Sequence, residues 1–399
     1  MAKRTIVALP GDGIGKVVLE ETIRVLDAAG FKADYVEGDI GWEFWKTEGN
    51  PLPQRTLDLL EKHKIALFGA ITSKPKDAAF AELSPKLQEK GLVYSSPIVG
   101  LRQHFGLDIC MRPCRSYKGN PLNFIKRGIG DEIIEPMVDV VIFRQNTEGL
   151  YGGVEWSNPP EKVYEALMTH PKFVKNFSKT PKEELSVSTR IFTKKATERI
   201  LRAAFEHAKK YGYKSVTVCE KPNVIRETSG MMYKMAQEIQ KSDYPEIELW
   251  NTNIDAQMMW LTKNPDNYGV IVAGNMFGDI VSDGFAGLIG GLGFACSAQF
   301  NPDSGIGVFE PTHGSAPKYA DFDVSIVNPI AMVESACMML DFIDENEIAT
   351  KIRKAVAKVI AEGKVQTYDM AKMSGKADVI EKGAASTQEM ADAIIQSLK

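Results

Sequence analysis

The 399-residue chain has no run of 18 apolar residues, no Cys-x-x-Cys pair and no large excess of either charge. The first absence argues against a membrane-spanning helix. The five cysteines, Cys110, Cys114, Cys219, Cys296 and Cys337, are scattered. They point to reduced thiols in a cytoplasmic compartment rather than to a disulfide framework. A formal net charge of −4 gives no overall pull toward nucleic acid or an anionic membrane, so neither is expected as a partner. An anionic ligand would have to be drawn by a local group of basic side chains. The apolar stretch before Pro10 is too short for the core of a signal peptide. What is present is ordinary for a folded protein: 44% hydrophobic and 25% charged residues, enough for two domains or one large one.

Residues 5–9 read as a short buried strand stopped by Pro10-Gly11-Asp12-Gly13. A helix is expected over 16–29, where Val17, Val18, Ile23, Val25 and Leu26 recur at helical spacing before Gly30. Further strands are expected at 32–36, 65–68, 138–143, 215–219 and 269–273, with helices at 193–211 and 228–240. This alternation is the pattern of an α/β protein with a substantial parallel sheet. Residues 152–185, rich in Pro, Lys and Asn, break the rhythm and read as an insertion or arm.

Several motifs carry chemistry. Gly11-Asp12-Gly13-Ile14-Gly15 follows a strand and opens a helix, which suits either a structural turn or a pyrophosphate contact. Its match to the dinucleotide fingerprint is incomplete, because Val18 stands where a Gly or Ala belongs. Asp279 and Asp283, at i and i+4, place two carboxylates on one helix face, about 6 Å apart at Cβ. Such a pair suits Mg²⁺ or Mn²⁺; the plainer alternative, a solvated acidic face, is weakened by the apolar residues around it. Arg102, Arg112 and Arg144 each adjoin an apolar segment, as guanidiniums at strand ends would. Singly each could be a structural ion-pair partner; together they point to a polycarboxylate. Tyr151 and Lys221 are candidates for acid–base work. His313 lies in a small-residue loop running from Glu310 to Tyr319, built for phosphate and adenine contacts or simply an ordinary loop.

Taken in order, these residues resemble the isocitrate/isopropylmalate dehydrogenase family over nearly the whole chain. The resemblance is carried by Leu9-Pro-Gly-Asp-Gly-Ile-Gly15, Leu101-Arg102, Arg112-Pro113 and Phe143-Arg-Gln-Asn-Thr-Glu-Gly-Leu-Tyr151. It continues in Lys221-Pro-Asn223, Asp255, Asn275-Met-Phe-Gly-Asp279 with Asp283, and His313-Gly-Ser-Ala-Pro317. It implies an α/β fold that is not a standard Rossmann domain. A large cofactor domain would come from 1–107 and 290–399, and a small domain and dimer interface from 108–289, with a clasp at about 152–188.

The resemblance also implies roles. Ser96, Arg102, Arg112, Arg144 and Asn223 would bind the substrate. Asp279 and Asp283, with Asp255 from a second subunit, would hold Mg²⁺ or Mn²⁺. Lys221 and Asp255 would remove the hydroxyl proton, and Tyr151 would return a proton after decarboxylation. Glu310, His313, Gly314, Ser315, Ala316, Lys318, Tyr319 and Asn328 would bind the cofactor, with Tyr368 and Lys372 beside a 2′-phosphate. Lys318-Tyr319 stands where an acidic and an aliphatic residue mark NAD-using members, so NADP is expected, with NAD less so. The site would be shared in a homodimer.

Isocitrate is the expected substrate. Ser96 matches the Ser of a Ser-x-Asn pair, but Ile98 replaces the Asn. With Val99 it is similar to the aliphatic pair of isopropylmalate enzymes. The 72–94 segment is longer than usual and could supply a further group. The alternatives are a 3-isopropylmalate, homoisocitrate, malate or tartrate β-decarboxylating dehydrogenase, or a non-catalytic subunit of a hetero-oligomer. A plain nucleotide-binding module would leave the paired carboxylates unexplained.

Overall fold

A computed structural model describes residues 4–399. Ten strands form its central sheet. In chain order these are β1 (Arg4–Gly11), β2 (Ala33–Glu37), β3 (Ile65–Ala70), β4 (Ile109–Arg115), β5 (Asp139–Gln145), β6 (Ser215–Glu220), β7 (Glu248–Asn253), β8 (Val270–Ala273), β9 (Cys296–Asn301) and β10 (Ile306–Pro311). Across the sheet they run β7-β6-β8-β5-β4-β9-β10-β3-β1-β2. β7, β6, β8 and β5 are mutually parallel, as are β10, β3, β1 and β2. β4 and β9, antiparallel to their neighbours, join the two sets.

The apolar runs form strands where expected because parallel strands are covered on both faces. Every residue of β3, β6 and β8 is buried. Four strands escaped the sequence pattern: β4, β7, β9 and β10. In the first three, polar residues such as Arg112, Asn251 and Gln299 interrupt the apolar signal. Helix α1 (Gly15–Ala29) keeps the expected face, with Val18, Val25 and Leu26 buried, but Val17 and Ile23 are only partly covered. Helix α2 (Ile330–Phe342) is buried from Ile330 to Leu340 and packs on β10, β9 and β3. All five cysteines are free and buried. None of the described helices is long and apolar enough to cross a membrane.

The 152–188 region holds a two-stranded antiparallel arm, Glu155–Ser157 with Ser186–Ser188. Its two helices, Glu161–Met168 and Pro171–Phe177, contain no buried residue. The long 72–94 segment is not an open loop. Its short helices, Lys76–Ala81 and Pro85–Gln88, enclose a cluster of Trp42, Trp45, Ala79, Leu83 and Leu87. Trp45 Nε1 donates to Ala79 O at 2.8 Å, and Tyr94 Oη donates to Thr72 O at 2.8 Å.

Candidate active site

Asp279 and Asp283 lie on helix α3 (Asn275–Leu288), which follows β8 and folds back over β5 and β4. That path lowers Asp279 onto two arginines rising from the sheet. Asp279 Oδ1 accepts from Arg112 Nη1 at 2.9 Å and from Arg144 Nη1, while Oδ2 accepts from Tyr151 Oη at 3.1 Å. The close approach of α3 is possible because residue 278 is glycine: a Cβ there would lie 2.7 Å from Arg144 Cβ. Arg144 is 2% exposed, and its Nε donates to Asn275 Oδ1 at 2.9 Å. Arg112 also donates to Ser282 Oγ at 2.8 Å, and its Nη1 lies 3.6 Å from Asp283 Oδ1.

Two of the three arginines reach the site differently from the sequence expectation, which placed all of them at strand ends. Arg144 is near the end of β5, but Arg112 is in the middle of β4 and Arg102 is on a helix, Pro97–Phe105. Arg102 Nε donates to Gln299 Oε1 at 2.5 Å, and Nη2 lies 3.4 Å from Glu310 Oε1. Glu310 therefore belongs with the arginines rather than with the His313 loop.

Burial alone would raise Asp279, but the guanidiniums of Arg144 and Arg112 outweigh it and hold the carboxyl below its usual range. Asp283 goes the other way: burial, with Asp279 as a like charge, raises it against the pull of Arg112. Its side chain is 58% exposed. Tyr151 is raised by burial and by the Asp279 anion, so it carries its proton at neutral pH. The donor set fits a small divalent cation: two hard carboxylates on one turn, one of them held only by a 3.6 Å contact to Arg112 and largely exposed. Among the described residues no group of three His, Cys, Asp or Glu is placed to hold a metal.

Lys221 and Asp255 form a separate pair. Lys221 follows β6, Asp255 opens the helix Ile254–Trp260 after β7, and Lys221 Nζ bonds Asp255 Oδ1. Asp255 is 67% exposed, and the ammonium holds its carboxyl low. Asn223 is exposed nearby. Asp255 is thus not brought to Asp279 within one chain. The helices bearing Asp255 and Asp279 pack together and leave Met259, Trp260 and Ile280 exposed beside them.

A cavity of about 460 Å³ gathers most of the remaining candidates. His313, Gly314, Ala316, Lys318, Tyr319, Asn328 and Tyr368 line it, with Ile14, Leu292 and Asp369. Lys318 Nζ sits 4.5 Å over the Tyr319 ring, and Tyr319 and Tyr368 lie 5.5 Å apart. Burial lowers His313, leaving it neutral at pH 7, and its Nε2 is buried without a hydrogen-bond partner among the described residues. Ser315 turns away to Thr72, Oγ to Oγ1 2.6 Å, and Lys372 is not in the wall. The glycine-rich turn is demanded by chain packing: Gly13 has φ +55°, and a Cβ there would lie 2.2 Å from Ser315 O. It supports the His313 loop, and Ile14 extends the turn into the cavity wall.

Residues 5–394 match the family model described as isocitrate/isopropylmalate dehydrogenase. The chain belongs to that family. Its members are decarboxylating dehydrogenases. Protein DlpA of Legionella pneumophila is 38% identical over 98% of this chain, which spans 58% of that protein's length. A 3-isopropylmalate dehydrogenase of Archaeoglobus fulgidus is 37% identical over 90% of this chain and 93% of its own. The crystal structure of isocitrate dehydrogenase from Methylococcus capsulatus superposes with a TM-score of 0.79 at 32% identity, covering 99% of both chains.

Family membership accounts for the motif string, which includes Asn146 and Asn275, but Gln299 and Asp369 were not singled out from the sequence. Asn275 bonds Arg144, Gln299 bonds Arg102, Asn146 bonds Gln299 in turn, and Asp369 lines the cavity. Ser282 also had a legible signal, three residues after Asp279 on the same helix.

Proposed function

We propose that this dehydrogenase oxidises isocitrate to 2-oxoglutarate and CO₂ with NADP, assisted by Mg²⁺ or Mn²⁺, as a homodimer whose sites are shared. The observation that carries the reading is Asp279, gripped by Arg112, Arg144 and Tyr151 with Asp283 one turn away. When bound, the metal acidifies a hydroxyl it ligates and the nicotinamide accepts hydride. Asp279 and Asp283 would hold the ion, joined by Asp255 of a second copy. Arg102, Arg112 and Arg144 orient carboxylates. Lys221 and Asp255 of that second copy take the hydroxyl proton. Tyr151, protonated and beside Asp279, returns a proton to carbon once CO₂ has left. The exposed Met259, Trp260 and Ile280 beside Asp255 form an apolar face suited to the second copy. The same reading divides the chain at about 107 and 290, with 152–188 as clasp.

Two features bear on the substrate. Ile98 is 9% exposed and packed with Leu101, Phe105 and Phe68 in the core, so its side chain is largely committed there. Ser96 caps the same helix without bonding its first turn, which suits a hydroxyl that serves the substrate. An isopropylmalate-type substrate remains the second reading, favoured by the aliphatic character of Ile98 and Val99. For the cofactor, Lys318 and Tyr319 favour a 2′-phosphate, whereas Asp369 on the same wall favours the free ribose hydroxyls of NAD. Turnover of isocitrate, isopropylmalate, homoisocitrate, malate and tartrate with each cofactor, with and without Mn²⁺, tests all of this. Isocitrate with NADP and metal is expected to be fastest. Activity indifferent to a chelator would overturn the metal assignment, and a better second substrate would replace isocitrate.

A further inference from the structure

Gln299, in β9, is wholly buried, yet its amide serves three groups at once. Its Oε1 accepts from Arg102 Nε at 2.5 Å and from Asn146 Nδ2 at 2.8 Å, and its Nε2 donates to Glu310 Oε1. The amide can face only one way. Turned over, it would set its NH₂ against two donors and its oxygen against a carboxylate. An aliphatic residue of equal size would fill this space without the cost of burying an amide. The position therefore serves something other than packing.

Arg102 shows what that is. An arginine offers five N–H donors in a planar fork, and a carboxylate takes two parallel ones from one edge. Gln299 occupies Nε, and Glu310 stands 3.4 Å from Nη2, close but not in a tight two-pronged pair. Nη1 has no hydrogen-bond partner among the described residues, so the outer edge of the fork remains for a ligand. Glu310 is a buried carboxylate that would otherwise draw the whole guanidinium to itself, but its Oε1 is shared between Arg102 Nη2 and the Gln299 amide. Asn146, next but one to Arg144, fastens the same amide to the end of β5.

We propose that Gln299 is a positioning residue for the substrate: it limits Arg102 to a single 3.4 Å contact with Glu310, so that the outer guanidinium edge stays open to a substrate carboxylate. This rests on the reading of Arg102 as a substrate arginine.

The test is Gln299→Leu, with Gln299→Met as a second variant of closer length and Gln299→Leu/Glu310→Gln as the rescue. KM and kcat for the best hydroxy acid, KM for the dinucleotide, and equilibrium binding of the hydroxy acid in the presence of Mn²⁺ are measured on the full chain. Losing the amide lets Arg102 close on Glu310. The hydroxy-acid KM and dissociation constant should then rise about 10-fold or more, with kcat within about 3-fold and the dinucleotide KM unchanged. Removing the Glu310 charge in the double variant should recover most of the lost affinity. A merely structural role would lower kcat, both KM values and melting temperature together, with no rescue, and that result overturns the proposal. So does an unchanged hydroxy-acid KM in both single variants. If the unmodified enzyme binds no hydroxy acid at all, the functional reading fails instead, before Gln299 is in question.

Discussion

Asp279 and Asp255 are both aspartates bonded to cations, yet they stand in opposite situations. Asp279 is wedged between the guanidiniums of Arg112 and Arg144, which are 6% and 2% exposed, and a phenol occupies its other oxygen. Asp255 meets one lysine at the surface. In a low-dielectric setting an opposing charge weighs heavily, whereas an exposed pair is screened and contributes little to folding. The first aspartate is therefore part of the architecture that presents Asp283, and the second is free to act elsewhere. The comparison teaches that Asp279 is fixed in place by its own chain, whereas Asp255 is left at the surface with a single partner.

The sharpest way to break this contrast is Asp279→Asn. It removes the acceptor of two buried guanidiniums and, on the proposed reading, one metal ligand. Turnover should fall about 10³-fold or more, and stability by about 1–3 kcal/mol. Denaturant melts and initial rates with Mn²⁺ check both, and normal turnover would remove Asp279 from the chemistry. Next comes complementation. Asp283→Asn and Asp255→Asn chains, each inactive alone, are unfolded and refolded together. If the site is shared across a dimer, random pairing leaves one intact site in half of the dimers and restores roughly a quarter of normal activity. No recovery would mean that Asp255 does not serve a neighbour's site. A smaller effect is expected at the cavity. Lys318→Ala should lower the preference for NADP over NAD about 10-fold, read as the ratio of kcat/KM values.

The smallest effect concerns pH. Asp279 is lowered in the folded chain, so it contributes stability that is present above the unfolded aspartate pKa of about 3.9 and is lost as pH falls through the folded value. Asp283 is raised, so its ionisation costs stability once pH exceeds the unfolded value. Without metal, Asp283→Asn should thus raise the melting temperature at pH 7 by about 1 °C, while Asp279→Asn lowers it. Melting curves in a chelator from pH 3 to 7 would decide. A lower melting temperature for Asp283→Asn would reverse the contrast.

Much of this was legible in the chain. The apolar strands β1, β3, β5, β6 and β8 and the amphipathic α1 follow from local spacing. So does the pairing of Asp279 with Asp283, because the helix period alone places i and i+4 together. Strands β4, β7 and β9 were not legible, since polar residues such as Arg112, Asn251 and Gln299 break their apolar pattern, and β10 was missed although Ile306–Phe309 is an apolar run. The 72–94 segment, long enough to pass for a loop, was closed into helices by two tryptophans more than 25 positions earlier.

Sequence by itself determined the family, the candidate residues and the carboxylate pair, because these rest on residue type and short spacing. Only the tertiary structure decided which charges meet. Asp279 found Arg112 and Arg144 because α3 folds back over an antiparallel junction of strands distant in the chain. Glu310 joined Arg102 through Gln299, Ser315 was diverted to Thr72, and the glycine turn became a support for the His313 loop. Such pairings depend on sheet order and register, which no local pattern encodes.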